Sequence, residues 1–373
     1  MVEVIRVETS AQKKRFIDFP HHLFKNDPNY VPELYSGQKE LLTPGKHPFY
    51  EHSSGQLFLA YKKGEIVGRI AAFWNTNNNK FNHTKEGHFG FFDSEDDQEA
   101  ANALLDSAFE WCKGKGAEKM VGPINLTTND SCGLLVDGFD LPPMVMMPYN
   151  PPYYSSLIEG YGLHKMTDLR AYIVRKDKAS MRSVQLLERL ETRLKRSNIT
   201  LRQIDLKNFK RDAESVKQVY NKAWDENLGF VPMTDAEFAY ATKEMKMILD
   251  PKYAILAEKD GEVIGFALGI PNINEILINI KKGRLFPTGI FKLLFGLKKV
   301  KSIRVLMLGV LEKYRKLGIE ACLYGRIIKN AIPSGIERAE CSWMLDDNYL
   351  MNHAIEQINA DFYKRYRLYE KEI

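Results

Sequence analysis

A short basic loop between an apolar strand and a helix is the part of the sequence best suited to chemistry. The strand pattern Leu306–Val310 leads through Arg315 and Lys316 to Gly318, and a helix pattern begins directly afterwards. A helix start presents backbone N–H groups and the positive end of the helix dipole, so it attracts phosphate. Gly318 has no Cβ, which allows the backbone to approach an anion closely. The segment therefore predicts an anion-binding loop.

The order of these residues resembles the acetyl-CoA loop of the GNAT family of N-acetyltransferases. That family's pattern is a strand ending in valine, then Gln/Arg-x-x-Gly-x-Gly/Ala at the start of a helix. Val310, Arg315 and Gly318 match the pattern, and Glu320 departs from it. The resemblance implies acetyl-CoA as a cosubstrate. The implied contacts are Leu308, Gly309, Val310, Arg315, Lys316, Leu317, Gly318, Ile319, Glu320, Ala321 and Asn348.

Acetyl transfer needs a deprotonated amine and a proton for the departing thiolate. The position where the family often carries a proton-donating tyrosine falls on Ile355 in this sequence. The catalytic candidates are Glu340, Asp346 and Tyr363, with Tyr349 and Tyr366 as further tyrosines nearby. Each tyrosine can also be read as a core or surface aromatic residue. Asp346 and Asp347 can equally be read as helix caps.

Candidate residues for the acceptor site come from two loops. Trp224 and Phe230 stand between two predicted helices, and Asn125 and Asn129 belong to the polar loop 122–131. A core position for the two aromatic residues and a plain surface loop for the two asparagines are the alternatives.

The chain also contains an internal duplication. The segments that begin at Phe58 and Ile255 each read as strand, Gly-containing turn and strand, at a constant offset of 197 residues. A second pair begins at Asn150 and Asn348, where an asparagine would cap a short helix before a last strand. Two matches at nearly the same offset, 197 and 198 residues, indicate a repeat. The sequence therefore predicts a tandem GNAT fold of the α/β (α+β) class, with mixed twisted sheets flanked by helices.

The two halves differ at the predicted anion site. In the first half the strand 88–92 leads into Asp93-Ser-Glu-Asp-Asp97, which has four acids and no glycine. Such a loop disfavours a pyrophosphate and suits helix capping. We expect a degenerate GNAT-like domain at residues 1–178 and an acetyl-CoA-binding domain at 179–373.

Composition places the chain among ordinary globular proteins, with 44% hydrophobic residues, 27% charged residues and a net charge of +5. This charge is too mild for a dedicated nucleic-acid binder. No apolar run is long enough to span a membrane. The four cysteines stand alone, which argues against a metal motif and suits a reducing cytoplasm.

The segment 279–300 combines bulky apolar residues with lysines and arginines, and no acid occurs between Leu277 and Leu311. It could be a lid over an acidic or lipid-like substrate, a membrane-surface helix, or a helix that packs on the domain with a solvated basic face.

The sequence favours transfer of an acetyl group from acetyl-CoA to an amine, of small-molecule or peptide type, without identifying that amine. Whether the chain is an enzyme stays open, as does its oligomeric state. One alternative is a catalytically inactive binding or scaffold protein, which Glu320 and the missing tyrosine would suit. The other is a transferase that uses aminoacyl-tRNA, which the duplication and the basic segment would suit.

Overall fold

The computed structural model describes residues 1–178, 181–223, 229–356 and 358–373. The strands are β1 (Val2–Arg6), β2 (Ser54–Lys62), β3 (Glu65–Trp74), β4 (Glu86–Ser94), β5 (Lys119–Gly122), β6 (Leu134–Asp137), β7 (His164–Arg175), β8 (Ile199–Gln203), β9 (Ala254–Lys259), β10 (Glu262–Pro271), β11 (Ser302–Val310), β12 (Arg338–Leu345) and β13 (Asp361–Glu372).

The helices are α1 (Ser10–Leu23), α2 (Tyr35–Leu41), α3 (Thr76–Asn82), α4 (Gln98–Gly114), α5 (Tyr154–Gly160), α6 (Met181–Arg196), α7 (Phe209–Ala223), α8 (Asp235–Ile248), α9 (Asn274–Leu277), α10 (Gly289–Gly296), α11 (Ile319–Ala331) and α12 (Tyr349–Glu356). Short 3₁₀ turns connect several of them.

These elements form two compact units. Unit 1 contains residues 1–169, 274–295 and 364–373, and unit 2 contains residues 170–273 and 296–363. The expected division into residues 1–178 and 179–373 concerns the repeat and stays a prediction. The units cut across it because part of the basic segment and the last ten residues pack within unit 1.

Unit 1 holds a mixed sheet in the order β1-β2-β3-β4-β5-β13, with β6 also paired to β13. Strands β4 and β5 are parallel, whereas the β1-β2, β2-β3, β3-β4 and β5-β13 pairs are antiparallel. Helix α4 covers one face with Ala100, Leu104 and Ala108, all fully buried. A second cluster, built around Phe16 and Phe73, contains buried residues of α1, β2, β3 and β4.

Unit 2 repeats this arrangement in the order β8-β9-β10-β11-β12-β7. Strands β11 and β12 are parallel, and the β8-β9, β9-β10 and β10-β11 pairs are antiparallel. Helix α11 packs on one face through Ile319, Leu323 and Ile327. Val219 and Tyr220 of α7 pack with strand residues whose side chains alternate to the opposite face.

The predicted duplication is visible in both hairpins. The β2-β3 turn has Lys63 and Gly64 at positive φ, and the β9-β10 turn has Asp260 and Gly261 at positive φ. This pattern is that of a two-residue type I′ turn, which matches the twist of the flanking strands. The predicted repeat of two hairpins is therefore confirmed.

One of the two predicted helix caps is wrong. The Asn348 side chain accepts a hydrogen bond from the Met351 backbone N–H at 3.2 Å and caps α12. The Asn150 side chain instead bonds both the N–H and the carbonyl of Leu135, at 2.7 and 3.0 Å. Asn150 therefore fixes β6 from the side, and α5 begins after Tyr153 without a side-chain cap.

Among the described residues, no helix combines the length and the apolar character that a membrane span requires.

Candidate functional site

The parallel strands β11 and β12 separate part of the way along their length. Their pairing runs from Ser302 opposite Arg338 to Val305 opposite Cys341, although β11 continues to Val310 and β12 to Leu345. On its other side β11 pairs with β10, where Gly269 lies opposite Val305 and Leu268 lies opposite Met307. Leu306 is therefore an extra residue, and such a bulge bends the strand that carries it. The bend and the end of pairing coincide, so a wedge opens between the two strands.

The loop that follows β11 leads to the start of α11, and Arg315 in that loop bonds back to Val310 at the end of the strand. Gly318 precedes the helix with a φ of 82° and caps it without a side-chain hydrogen bond. The first bond of the helix runs from the Cys322 N–H to the Gly318 carbonyl, so the N–H groups of residues 319–321 precede it. A Cβ on Gly318 would lie 2.7 Å from Leu190 of α6, and its φ also favours glycine. The structure thus has the predicted uncapped helix start, and anion binding at this start stays a prediction.

The two basic residues of the loop are placed differently. Arg315 donates to the Val310 carbonyl at 3.3 Å and to the Ala223 carbonyl at 3.0 Å. Its guanidinium therefore holds the loop against the end of β11. Lys316 is exposed at a positive φ of 71°. Leu317 beside it is 45% exposed.

The remaining predicted cofactor contacts lie around the helix start. Ile319 is fully buried in the core, and Glu320 is half-buried, whereas Ala321 is exposed in the first turn. Asn348 uses its side-chain oxygen to cap α12. Leu308, Gly309 and Val310 all belong to the part of β11 beyond the bulge. The cofactor assignments of these residues stay predictions.

A buried polar cluster lies where the wedge closes. Glu340 and Arg304 are paired across β12 and β11, are 0% and 1% exposed, and have Oε1 and Nε 3.4 Å apart. The Ser342 hydroxyl donates to Glu340 Oε1 at 2.6 Å, and Arg304 Nε lies 3.0 Å from the same hydroxyl oxygen. The Tyr363 hydroxyl donates to Glu340 Oε2. The structure thus brings two predicted catalytic residues, Glu340 and Tyr363, into direct contact.

Sequence reasoning missed Arg304 and Ser342 as members of this cluster. From the sequence, Arg304 counts only among the basic residues, although it stands inside an apolar strand. A charged residue in the middle of a buried strand requires a buried partner, and Glu340 occupies the matching position of another apolar strand. That coincidence was the available signal.

Asp346 lies in a second network at the end of β12. It forms an ion pair with Arg170, whose hydrogen bonds to Tyr172 and Asp346 raise the pKa of its guanidinium. The Tyr172 hydroxyl lies 3.1 Å from the Asn352 side-chain oxygen, and the Asn352 side-chain nitrogen donates to the Leu345 carbonyl at 2.9 Å. Asp346 therefore ties β7 to the beginning of α12. Its role as a base stays a prediction.

The tyrosine candidates separate clearly. Ile355, at the position of the family tyrosine, is 1% exposed within the unit 2 core. Tyr349 is 78% exposed, and Tyr366 is fully buried within unit 1. Tyr363 is half-buried and contacts Glu340. It is the tyrosine that the structure places beside a candidate base.

The equivalent strand edge in unit 1 is covered by the chain itself. The pairing of β4 with β5 ends at His88 opposite Val121. The Ile124 N–H then donates to the Phe89 carbonyl at 2.7 Å, and the Phe91 N–H donates to the Asn125 side-chain oxygen at 2.8 Å. A Cβ on Gly90 would lie 2.3 Å from the Ile124 carbonyl oxygen, so the contact is close. Asn125 therefore supports β4, and its predicted role toward substrate stays untested.

The helix start in unit 1 is occupied by a carboxylate. The Asp97 side chain accepts from the N–H groups of Glu99 and Ala100 at 3.0 and 3.4 Å, which confirms the predicted capping role. Its hydrogen bond with Lys62 is the main cause that lowers the pKa of Asp97. A carboxylate at this position disfavours a phosphate ligand.

The other acceptor candidates have different outcomes. Phe230 is 4% exposed and packs with Tyr220, Leu256 and Phe266, so it lies in a core cluster. Asn129 is half-buried, and its backbone N–H donates to the Thr127 hydroxyl at 3.1 Å. Trp224 lies outside the described residues.

A small apolar cavity lies beneath α11, and its lining includes Val305, Tyr324, Ile327 and Cys341. Its volume is about 40 Å³. Since one water needs about 10–15 Å³ of such volume, this space holds only a few waters and is far too small for a fatty acyl chain. We therefore regard it as a packing gap.

Comparison with curated proteins gives two relatives of similar length. The chain is 37% identical to a bacterial ceramide synthase of Caulobacter vibrioides over 380 residues, which covers 99% of this chain and 97% of that protein. It is 37% identical to protein YghO of Escherichia coli over 366 residues, which covers 96% and 93%. No family model matches the chain.

Solved structures agree on the fold. A tandem GNAT protein from the clavulanic acid biosynthesis pathway aligns over 100% of this chain and 98% of its own, with a TM-score of 0.60 at 11% identity. A GCN5-related N-acetyltransferase from Sphaerobacter thermophilus aligns over 100% and 95%, with a TM-score of 0.51 at 14% identity. The predicted tandem GNAT fold is confirmed. The chain belongs to the family of tandem GNAT-fold proteins that includes the bacterial ceramide synthase of Caulobacter vibrioides and YghO of Escherichia coli.

Proposed function

We propose that this protein is an N-acyltransferase that moves an acyl group from an acyl-CoA thioester to the amino group of a long-chain amino alcohol. The wedge between β11 and β12, together with the uncapped start of α11 that follows β11 in the chain, is the observation that carries the acyl-CoA site. The acceptor class rests on 37% identity, over nearly the whole chain, to a protein named as a ceramide synthase. A ceramide is the amide of a fatty acid with such an amino alcohol.

The acyl-CoA substrate would be held mainly by backbone groups. The pyrophosphate would meet the N–H groups of residues 319–321 and the exposed Lys316. The pantetheine arm, which carries amides, would lie in the wedge beside β11 after Leu306. The thioester would then reach the closed end of the wedge, next to the Glu340 cluster.

The reaction itself breaks one bond and forms another. The neutral amine nitrogen attacks the thioester carbonyl carbon, the C–N bond forms, and the C–S bond breaks to release the CoA thiolate. In this proposal the amine proton passes to the Tyr363 oxygen while the Tyr363 proton moves to Glu340 Oε2, with which it already shares a hydrogen bond. The relayed proton finally neutralises the thiolate. Arg304 and Ser342 hold the Glu340 carboxylate in position.

The acyl donor in this proposal can be either a long-chain fatty acyl-CoA or acetyl-CoA. The curated relative favours a fatty acyl donor, whereas acetyl-CoA is the donor expected from the loop alone. A donor series from acetyl-CoA to palmitoyl-CoA, with sphinganine as the amine, distinguishes the two. We expect N-acylsphinganine by mass spectrometry and stoichiometric CoA release, with long-chain donors preferred.

A matched pair of substitutions tests the acyl-CoA site. Ala321 is exposed in the first turn of α11, where an acid is favourable to the helix dipole. Ala321→Asp should therefore fold normally and raise the Kd for acyl-CoA by about tenfold or more. The nearly isosteric Ala321→Asn should bind close to wild type. Gly318→Trp is a poorer probe, because any side chain there strikes Leu190.

Three results would count against the proposal, the last against the acceptor alone. Absence of calorimetric binding of both CoA and palmitoyl-CoA at millimolar concentration would favour an inactive binding protein. Equal binding of acyl-CoA by the Ala321→Asp and Ala321→Asn variants would show that the pyrophosphate does not bind at the start of α11. Binding of acyl-CoA without amide formation would leave the cofactor site intact and exclude sphinganine as the acceptor.

A further inference from the structure

Four large apolar side chains are exposed within ten residues of unit 1. Phe286 is 80% exposed, Phe291 and Leu294 are each 58% exposed, and Phe295 is 72% exposed. Elsewhere in the described residues, no stretch of ten exposes more than two large hydrophobic side chains. Exposed apolar residues scattered singly are ordinary, whereas a contiguous group marks an interaction site.

Three of these residues share one face of α10. Phe291, Leu294 and Phe295 stand at positions i, i+3 and i+4, which lie on the same side of a helix. Ile290 and Leu293, which are only half-exposed, take the remaining apolar positions. The helix therefore turns its bulkiest apolar residues outward. One of the three alternatives from the sequence, a packed helix with a solvated basic face, does not describe α10, whose outward side is mainly apolar.

The segment is fixed to unit 1 by its other side. Ile276, Leu277 and Ile280 are buried. The Asn274 side chain donates to the Met144 carbonyl at 3.0 Å. Arg284 forms an ion pair with Asp18 at 3.1 Å. These contacts of residues 274–284 thus hold the segment that carries the exposed apolar side chains against the rest of unit 1.

The same segment carries positive charge. Lys281 and Lys282 are exposed five and four residues before Phe286. Lys292 is exposed within α10, and its Nζ donates to the Asn279 carbonyl at 2.8 Å. No acidic residue occurs between Leu277 and Leu311 in the sequence. We name Lys281, Lys282, Phe286, Phe291, Lys292, Leu294 and Phe295 the basic-aromatic surface.

We propose that the basic-aromatic surface docks unit 1 onto an anionic lipid bilayer. Aromatic and leucine side chains of this kind enter the boundary between headgroups and acyl chains, while lysines pair with anionic headgroups. The uninterrupted positive charge favours this partner over a second copy of the chain, which would bring the same charge to the contact. This inference goes beyond the proposed function and holds whether or not the protein transfers acyl groups.

Vesicle flotation of the full chain tests the inference. The vesicles are phosphatidylcholine alone, or equal parts phosphatidylcholine and phosphatidylglycerol. We expect binding to the anionic vesicles that weakens as salt is raised. Phe291→Ser with Phe295→Ser should lower the partition coefficient by about tenfold or more for each phenylalanine. Lys281→Gln with Lys282→Gln should lower it by about fivefold for each lysine.

A matched control uses exposed apolar residues of unit 2. Leu206 and Met247 are 41% and 66% exposed, so Leu206→Ser with Met247→Ser removes comparable apolar surface elsewhere. This variant should bind vesicles like wild type. All three variants change exposed residues, and matching thermal midpoints would show that each is folded.

Three outcomes would overturn the inference. One is equal binding to the two kinds of vesicle, and another is unchanged binding by the phenylalanine variant. The third is a wild-type dimer in sedimentation that only the phenylalanine variant dissociates, because the surface would then join two copies. An inactive protein that still floats with anionic vesicles would leave this inference intact and count only against the proposed function.

Discussion

Glu340 is a fully buried carboxylate surrounded by three donors, and that setting limits what it can do. Arg304, Ser342 and the Tyr363 hydroxyl all contact it. Removing one partner of a buried ion pair costs about 3–5 kcal/mol of folding free energy. Glu340→Gln would therefore confuse a catalytic loss with a folding defect. Tyr363 is half-buried and offers the cleaner substitution.

Tyr363→Phe should separate catalysis from binding. It removes the hydroxyl and keeps the ring, so we expect kcat to fall by about a hundredfold or more, as for loss of a general acid–base group. The Kd for acyl-CoA should change little, because Tyr363 is not among the residues that we propose to hold the pyrophosphate. Steady-state kinetics over a pH series checks this, and the variant should also lose an ionisation seen in wild type. A proportional fall in activity at every pH would indicate a structural role only.

His21 provides a pH dependence of stability in unit 1. Burial and the charge of Arg69 lower the pKa of His21 to about 4, and Asp18 opposes them while Lys282 and Arg284 add to them. The Tyr30 hydroxyl lies 2.8 Å from its Nδ1. In the unfolded chain the pKa is about 6.5. Between these values the unfolded state binds the proton and the folded state does not, so unit 1 loses stability as pH falls from 6.5 to 4.

His21→Gln should flatten this dependence. Between pH 6.5 and pH 4 the free energy of unfolding should fall more for wild type than for the variant. Because the imidazole is partly solvated, we expect this difference to be only about 1–2 kcal/mol. Urea unfolding at several pH values, followed by hydrogen exchange in unit 1 peptides, measures the difference. Parallel pH curves for the two proteins would show that His21 is protonated equally in both states.

The two helix starts explain at the level of elements why the halves differ. Helix α11 begins at Gly318 without a side-chain cap, whereas α4 begins with the Asp97 carboxylate on its first N–H groups. A first-turn N–H group can bond either a capping side chain or a bound phosphate. Unit 1 therefore caps its first-turn N–H groups with its own side chain, whereas the start of α11 in unit 2 has no side-chain cap, and acyl-CoA binding there stays our proposal.

Asp97→Ala should destabilise unit 1 by about 1–2 kcal/mol, because the cap at Glu99 and Ala100 is lost. Asp97→Asn keeps an acceptor oxygen and loses only the ion pair with Lys62, which is about one quarter exposed. Asp97→Asn should therefore lower the folding stability of unit 1 by less than about 1 kcal/mol. Thermal unfolding of both variants shows which of the two loses more stability. Equal losses would mean that the charge of Asp97, and not its hydrogen bonds, stabilises α4.

The end of the chain belongs to unit 1 at the level of the whole molecule. Tyr369 lies opposite Gly122 of β5 and is fully buried in the unit 1 core. Its hydroxyl lies 3.0 Å from Glu159. Residues 364–373 are thus needed to complete a sheet that begins at Val2.

Tyr369→Ala should destabilise unit 1 by about 3–5 kcal/mol, as for other large aromatic residues in cores. Tyr349→Ala, at a position 78% exposed, serves as the control and should stay within about 0.5 kcal/mol of wild type. Hydrogen exchange should show lost protection in the peptides of β4, α4 and β5. Greater loss in β9 and β10 would place the last residues in unit 2.

The sequence by itself determined the local features. Lys-Gly and Asp-Gly turns impose the two hairpins, Gly318 permits the uncapped helix start, and the 3.6-residue period marks α4 and α11. These features depend on residues that are neighbours in the chain, so the offset of 197 residues was enough to reveal the tandem fold.

Only the tertiary structure decided which distant residues meet. The register of β11 and β12 places Arg304 beside Glu340, the course of β13 brings Tyr363 to that carboxylate, and the anchors of residues 274–284 turn Phe291 and Phe295 outward. Strand register, pairing partners and exposure arise from contacts between segments far apart in sequence. A local pattern therefore fixes the elements, and packing alone selects the tyrosine that contacts Glu340 and the apolar side chains that are exposed.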